Sequence, residues 1–506
     1  MRMSRHKIIQ SAGLIGILTA FSRVLGMLRD IVSAALFGTS AVWDAFVMAF
    51  TIPNLLRRLV FEGALSSAFI PIFVEIQKTK GKSEAERFAN QVGTSLFLVV
   101  LIITAGFYAG LIALKTSGIV SGKWALMLDF LTLLFPYLFF LLGVALSMGI
   151  LNSEKHFFTP ALSPAILNLV WIAAVMLICP AISPDRVVQA KILCLAIVIS
   201  GAVQLLIQWF PLRAKQYHLK LIWDFSSPYL SRFLKLILPS IVGFSVFNLN
   251  MLVDLIFGYF LPEGSSSSLW YAGRLMQFPL GIIAVSLGTV LLPEYSHQSA
   301  DKNRSEMKNT FSFSLRSVFL IMIPAAVGLI VLAHPIVQML FERGEFTAIS
   351  TANTQSVLAA YTIGLPAYAG LQVIVSAFYG IQDMKTPVIA GIFSILLHLL
   401  LNFVLMNFMG SSGLALSTAI SGILNFTILI FLLYEKIGDF DAHGILIFSA
   451  KVLAVSLIMG VTAFMVNYRF SVIPAILTGL AVFAVGCFAV RIHEMRSMFE
   501  WIFGKK

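Results

Sequence analysis

Apolar residues run along this chain in long blocks, with polar and charged residues gathered in short segments between them. The blocks are too long for the ten-residue alternating strands of a membrane barrel. A helix that crosses a bilayer needs roughly 20 mostly apolar residues. Read on that scale, the pattern predicts fourteen helical spans, at 9–36, 42–74, 89–113, 125–151, 160–180, 188–211, 230–260, 268–294, 311–340, 351–379, 387–408, 413–434, 447–467 and 471–491. Several exceed the length of a crossing, so tilt, kinks or projection into water takes up the excess.

Composition agrees with the pattern. The chain is 59% hydrophobic and 11% charged, with a mean hydropathy of +0.93, whereas a soluble domain carries about 25% charged residues. A polytopic all-α membrane protein follows. The first residues, MRMSRHKIIQ, resemble the start of a signal peptide. No cleavage pattern follows them, and Arg23, Arg29 and Asp30 interrupt the apolar stretch, so it reads as a retained first helix. Cys179, Cys194 and Cys487 have no metal or redox spacing. Cys179 and Cys194 flank one short loop and could pair; free thiols are the favoured reading.

The net charge of +12 would suggest nucleic acid in a soluble protein. Its placement here points elsewhere, and no nucleic-acid partner is expected. With the spans threaded in order, one side of the membrane holds 24 Lys and Arg, and the other holds six. The positive-inside rule makes the richer side cytoplasmic and places both termini there. The basic connections also suit anionic headgroups.

Similar residues recur 227 positions apart. Thr159-Pro160 matches Thr386-Pro387, Trp43 matches Trp270, and Pro53 falls one residue from Pro279. Each Thr-Pro pair opens a span, where the missing proline N–H costs nothing. Two lobes of six helices, at 1–212 and 213–435, explain the repeat, with a pair of helices and a tail at 436–506. An even number of helices per lobe relates the lobes by a pseudo-twofold axis along the membrane normal.

Five arginines remain inside apolar segments: Arg23, Arg29, Arg57, Arg58 and Arg274. Such residues face a bundle interior or a wet cavity. Arg23 and Asp30, two turns apart, share a helix face, and Gly26 between them admits a close neighbour. Arg58 and Glu62, four apart, can pair, while Arg57 points elsewhere. Asp44 begins the same segment, and Pro53 bends it. Structural pairing absorbs some of these charges but not Arg274, which has no acid nearby in its own helix. Guanidinium groups that converge between two bundles would form an anion-binding cavity, fitted to a phosphate or diphosphate. In the second half, Asp254 with Asn402 and Thr418 could form an oxygen-rich cation site. Interhelical hydrogen bonding accounts for the same residues, and His398 reads as a satisfied interior histidine. No HExxH, P-loop or Cys/His cluster is present, so nothing points to an enzyme.

Three stretches then carry a family resemblance: 21–31 (FSRVLGMLRDI), 44–72 (DAFVMAFTIPNLLRRLVFEGALSSAFIPI) and 271–294 (YAGRLMQFPLGIIAVSLGTVLLPE). They resemble the bacterial MurJ (MviN) family, flippases of the lipid-linked peptidoglycan precursor, in the multidrug/oligosaccharidyl-lipid/polysaccharide exporter superfamily. The resemblance implies a flippase of the cell inner membrane that works by alternating access. It also implies lipid II and membrane lipids as ligands, cell-wall synthesis enzymes as neighbours, and function as a monomer. It assigns Arg23, Arg29, Arg57 and Arg274 to the diphosphate. Ser22, Asp30, Asp44, Arg58 and Glu62 become cavity or switching positions, with Gly26 and Pro53 as hinges. It gives the last two helices a groove for the isoprenoid tail. Some members hold sodium with residues matching Asp254 and Thr418. An Asn/Asp pair of that site stands here as His398 and Asn402, which argues against sodium and for movement linked to protons or the membrane potential. No cofactor is implied. The alternative within the superfamily is an exporter of another polyprenyl-linked oligosaccharide or of drugs.

Overall fold

The structure, a computed structural model, describes residues 5–58, 65–118, 120–301, 303–492 and 494–495. Regular structure among the described residues is helical throughout. Contacts divide the chain into two compact units, Met1–Leu252 and Val253–Lys506.

The first unit contains α1 (Arg5–Phe37), α2 (Ala41–Leu56), α3 (Leu65–Thr79), α4 (Lys82–Thr116), α5 (Gly122–Leu134), α6 (Tyr137–Ser153), α7 (Phe158–Ala173), α8 (Cys179–Ile182), α9 (Arg186–Ala214) and the start of α10 (Pro228–Phe260). The span expected at 42–74 takes in α2 and the first part of α3, with residues 59–64 outside the described residues. Proline interrupts another: Pro136 lacks an N–H and stands between α5 and α6, which bend by 44°. Within the unit, α1 packs on α7, α2 on α5, and α6 and α7 on α9. An aromatic stack fixes the meeting of α1, α2 and α7. Trp43 lies against Phe37 and Phe46, with ring centroids 4.9 and 4.8 Å away, and Trp171 meets Phe50 edge-on at 5.2 Å. Cys179 and Cys194 are buried free thiols.

The second unit continues with α11 (Ser265–Ala300), α12 (Arg304–Val331), α13 (Ala333–Phe341), α14 (Ala348–Ile363), α15 (Leu365–Gly380), α16 (Lys385–Ile437), α17 (Ala442–Arg469) and α18 (Val472–Ala489). Here α15 packs on α11, α12 and α16, while α17 joins α18 to α12. α7 and α16 begin at Phe158 and Lys385, the same 227-residue offset that relates the Thr-Pro pairs. Trp43 and Trp270, matched by that offset, are both buried, each in the core of its own unit.

α16 is one run of 53 residues in name only. Straight, it would be about 80 Å long. Yet Thr418 Oγ1 lies 3.0 Å from His398 Nε2, and Ser394 Oγ donates to the Ser421 carbonyl at 3.1 Å. The chain therefore doubles back, and it does so at Gly410, whose φ of 59° and ψ of −133° suit a residue without a Cβ. The turn falls between the spans expected at 387–408 and 413–434. Eight of the described helices, counting α16 once, are long and apolar enough to cross a bilayer, and nine if the bent α5–α6 pair is one span. The protein is an all-helical, polytopic membrane protein.

The hairpin should be intolerant of side chains at its turn. A Cβ at Gly413 would stand 2.3 Å from the Leu405 carbonyl oxygen, whereas one at Gly106 meets nothing within 4 Å. Gly410→Ala and Gly413→Ala should each cost about 1–3 kcal/mol and lower the unfolding midpoint of the detergent-solubilised protein. Gly106→Ala, in open space inside α4, should not lower it.

Candidate functional site

Two polar knots lie inside apolar helices, one in each unit. The first joins α1 to α7. Arg29 and Asp30 are both buried, with 6% and 2% exposure. Arg29 Nε and Nη2 donate to Asp30 Oδ1 at 3.0 and 2.7 Å. Arg29 Nη1 donates to Asn168 Oδ1 at 3.1 Å, and the guanidinium lies 4.7 Å over the Trp171 ring. The Asn168 amide then donates to the Ser22 carbonyl at 3.0 Å, while Trp171 Nε1 donates to Ser33 Oγ at 2.9 Å. Gly26 faces this contact, but it does not require a glycine: a Cβ there would lie 3.6 Å from the Asn168 amide nitrogen, an ordinary van der Waals distance. The expected partnership of Arg23 with Asp30 is replaced by that of Arg29. Neighbouring residues leave a helix about 100° apart, but the long arginine stem curls back onto the carboxylate beside it. Arg23 is half-buried, and no ion pair among the described residues joins it to Asp30.

α2 begins at an N-cap, Ser40, whose Oγ accepts from Trp43 N at 3.3 Å. Asp44 is buried in that first turn, where the helix dipole favours an anion. Pro53 lies inside α2, three residues before its end, and Arg57 and Arg58 follow in a π-type turn. Arg57 Nε and Nη2 donate to Asn54 Oδ1 at 3.3 and 3.1 Å. Glu62, expected to pair with Arg58, lies outside the described residues. In the second unit Arg274 is half-buried one turn from Trp270, its guanidinium 4.2 Å over the indole.

The second knot surrounds Asp254 on α10, which is 1% exposed. Its Oδ1 is 2.7 Å from His398 Nε2 and accepts from Asn402 Nδ2 at 3.0 Å, both on the first arm of α16. Its Oδ2 accepts from Tyr361 Oη on α14 at 2.9 Å and from Thr418 Oγ1 on the second arm of α16 at 2.6 Å. The four residues expected as a cation site are thus brought together, with Tyr361 added. Their chemistry is that of polar groups converging on one carboxylate, to which His398 donates in its Nε2–H tautomer. Asn402 Oδ1 and His398 Nδ1 are buried without hydrogen-bond partners among the described residues. No group of three or more His, Cys, Asp or Glu among the described residues could hold a metal ion.

A family model described as "Lipid II flippase MurJ" matches residues 33–481. The chain belongs to the MurJ family. It is 34% identical over 435 residues to the "Probable lipid II flippase MurJ" of Vibrio cholerae serotype O1, covering 84% of this chain and 82% of that protein. It is 33% identical over 464 residues to the protein of the same description from Buchnera aphidicola subsp. Acyrthosiphon pisum, covering 90% of each. Among solved structures, "Lipid II flippase MurJ, inward closed conformation" superposes with a TM-score of 0.79 at 29% identity, over 97% of this chain and 99% of that one. An inward-facing MATE transporter of the MOP superfamily superposes at 0.68 with 16% identity, over 83% of this chain and 95% of that one; this likeness is one of fold.

In this MurJ-family chain, Asn168, Trp171 and Tyr361 escaped the sequence reading. Asn168 and Trp171 are three apart in an apolar helix, a polar and an aromatic residue on one face, and that spacing was the available signal. Tyr361 gave none, because a tyrosine in a membrane helix is ordinary. Asn168→Ala strips a partner from both Arg29 and the Ser22 carbonyl, and Tyr361→Phe strips one donor from Asp254. Each should cost about 1–3 kcal/mol, measured as a lowered unfolding midpoint of the purified protein.

Proposed function

We propose that this chain is a lipid II flippase of the bacterial inner membrane. It would carry the undecaprenyl-diphosphate-linked peptidoglycan precursor from the inner to the outer leaflet by alternating access. The observation that carries the reading is the likeness, along almost the whole chain, to a solved MurJ structure. The finer arrangement proposed is fourteen spans with both termini cytoplasmic, built as two six-helix lobes and a last pair. In that arrangement the α16 hairpin supplies two spans and α17–α18 the pair.

Arg23, Arg29, Arg57 and Arg274 are proposed to meet the diphosphate. They are not equivalent. Arg29 is tied to Asp30 and Asn168 and is suited to holding α1 on α7. The Asn54 amide steers the Arg57 guanidinium, and the Trp270 ring does the same for Arg274. Arginine stays protonated and binds oxyanions through two parallel N–H bonds, so the diphosphate gains both charge and geometry. Asp44, Arg58 and Glu62 are proposed as contacts that change between the two access states. A drug exporter for cations would favour carboxylates and bare aromatics over these arginines.

Reconstitution with labelled lipid II tests the reading through precursor exposed on the far leaflet. Arg57→Ala or Arg274→Ala should lower translocation about tenfold or more, the equivalent of a lost charge-assisted bond. Translocation at the wild-type rate in both variants would remove those assignments. Energy coupling is proposed to run through protons or the membrane potential, because every polar neighbour of Asp254 donates to it. Replacing sodium by potassium on both sides should leave the rate unchanged, while collapsing the potential should slow it; a strict sodium requirement would overturn this reading.

A further inference from the structure

The segment between α9 and α10 has no regular secondary structure, yet it is held along α4 by a regular ladder. Glu86 Oε1 accepts from the His218 backbone N–H at 3.0 Å. Asn90 accepts from Lys220 N at 2.9 Å and donates to the His218 carbonyl at 3.0 Å. Thr94 Oγ1 accepts from Ile222 N at 2.8 Å. Residues four apart on a helix rise about 6 Å, and residues two apart on an extended chain rise about 6.6 Å. The two steps match, so the rungs fit only an extended backbone running along the helix.

The segment then turns back. Asp224 Oδ2 accepts from Arg87 Nη2 at 2.9 Å and from Gln91 Nε2 at 3.0 Å, two rungs nearer the start of α4. Hydrogen bonds from Ser226 and then Arg87 hold the Asp224 carboxyl down to about 2, so it remains an anion. At the other end, Tyr217 is buried and donates to Glu154 Oε1 at 2.7 Å. Burial acts to raise the Glu154 carboxyl, but hydrogen bonds from Tyr217 and Gln77 and the Lys215 charge bring it below its usual range.

Side chains of an extended chain leave alternate faces. Along the ladder one face carries His218, Lys220 and Ile222, and the other carries Leu219 and Leu221. Trp223 and Phe225 follow at the turn, and all four of these apolar residues are exposed, with Trp223 at 65%. Trp223 follows the rung at Thr94, about 12 Å along α4 from Glu86. That is the rung closest to the part of α4 that exposes Val99, Ile102 and Ile103. Lys220 on this segment and Arg213 in the last turn of α9 are exposed, with no acidic partner among the described residues.

We propose that residues 217–226 form an interfacial strap, with Leu219, Leu221, Trp223 and Phe225 seated in the headgroup–acyl boundary and Lys220 and Arg213 on anionic lipid headgroups. Three features select lipid as the occupant. The stripe continues the exposed apolar surface of α4, its most exposed residue is a tryptophan, and its flanking charges are basic. The connection between α9 and α10 thereby senses headgroup charge.

The three native cysteines are buried, so nitroxides can be placed at Leu219→Cys, Leu221→Cys, Trp223→Cys and, as an aqueous reference, Ser226→Cys. The full chain is held in nanodiscs of phosphatidylcholine with or without phosphatidylglycerol. The ratio of oxygen to nickel-chelate accessibility at 219, 221 and 223 should exceed that at 226 severalfold, and should rise further with phosphatidylglycerol. Lys220→Glu should abolish that rise. Nickel access at 219, 221 and 223 equal to that at 226 overturns the strap, and so does exclusion of both reagents, which would mean that protein covers the stripe. A ratio indifferent to phosphatidylglycerol, or a rise that survives Lys220→Glu, overturns the anionic headgroup contact.

Discussion

A charge inside an apolar helix has to be answered by something within reach, because the surrounding hydrocarbon offers no compensation. The two units meet this demand in opposite ways. In the first a cation, Arg29, is answered by one carboxylate, one amide and the face of an indole. In the second an anion, Asp254, is answered by phenol, imidazole, amide and hydroxyl donors. Breaking a buried pair by removing one partner is costly, about 3–5 kcal/mol, whereas each of the four donors to Asp254 carries a smaller share. The first knot is therefore rigid by design of its chemistry, and the second can lose one contact and persist.

This difference follows the local architecture. The Arg29 knot sits where α1, α2 and α7 are already fixed by stacked aromatic rings, so the polar contacts add direction to an interface that packing has closed. The Asp254 knot draws on three helices, α10, α14 and α16, and α16 contributes from both arms of its hairpin. The turn at Gly410 is what allows His398 and Thr418 to face the same carboxylate. A glycine in an otherwise helical run thus determines whether the second knot exists at all.

Much of this was legible in the residues, and what was not has definite causes. Asp254, His398, Asn402 and Thr418 could be grouped because ionisable and amide groups stand out in apolar helices, and because four-residue spacings put pairs on one face. The boundary near 410 could be placed because a run of that length has to turn. The partner of Asp30 was misread for a reason of scale. Arg23 shares its face, but seven residues separate them by about 10 Å along the axis, while Arg29 is adjacent and flexible enough to wrap. Tyr361 was invisible because a tyrosine in a membrane helix is ordinary, and Asn168 could be found only through its three-residue spacing from Trp171.

The carboxylate at the centre of the second knot also constrains what can bind there. A carboxylate has about four lone-pair sites, and Asp254 receives contacts from all four of its polar neighbours. A metal ion would have to displace several of them and would find nitrogen and hydroxyl donors already turned toward the oxygens. The donors come from α14 and from both arms of α16, so the one carboxylate on α10 ties these elements together through contacts already in place.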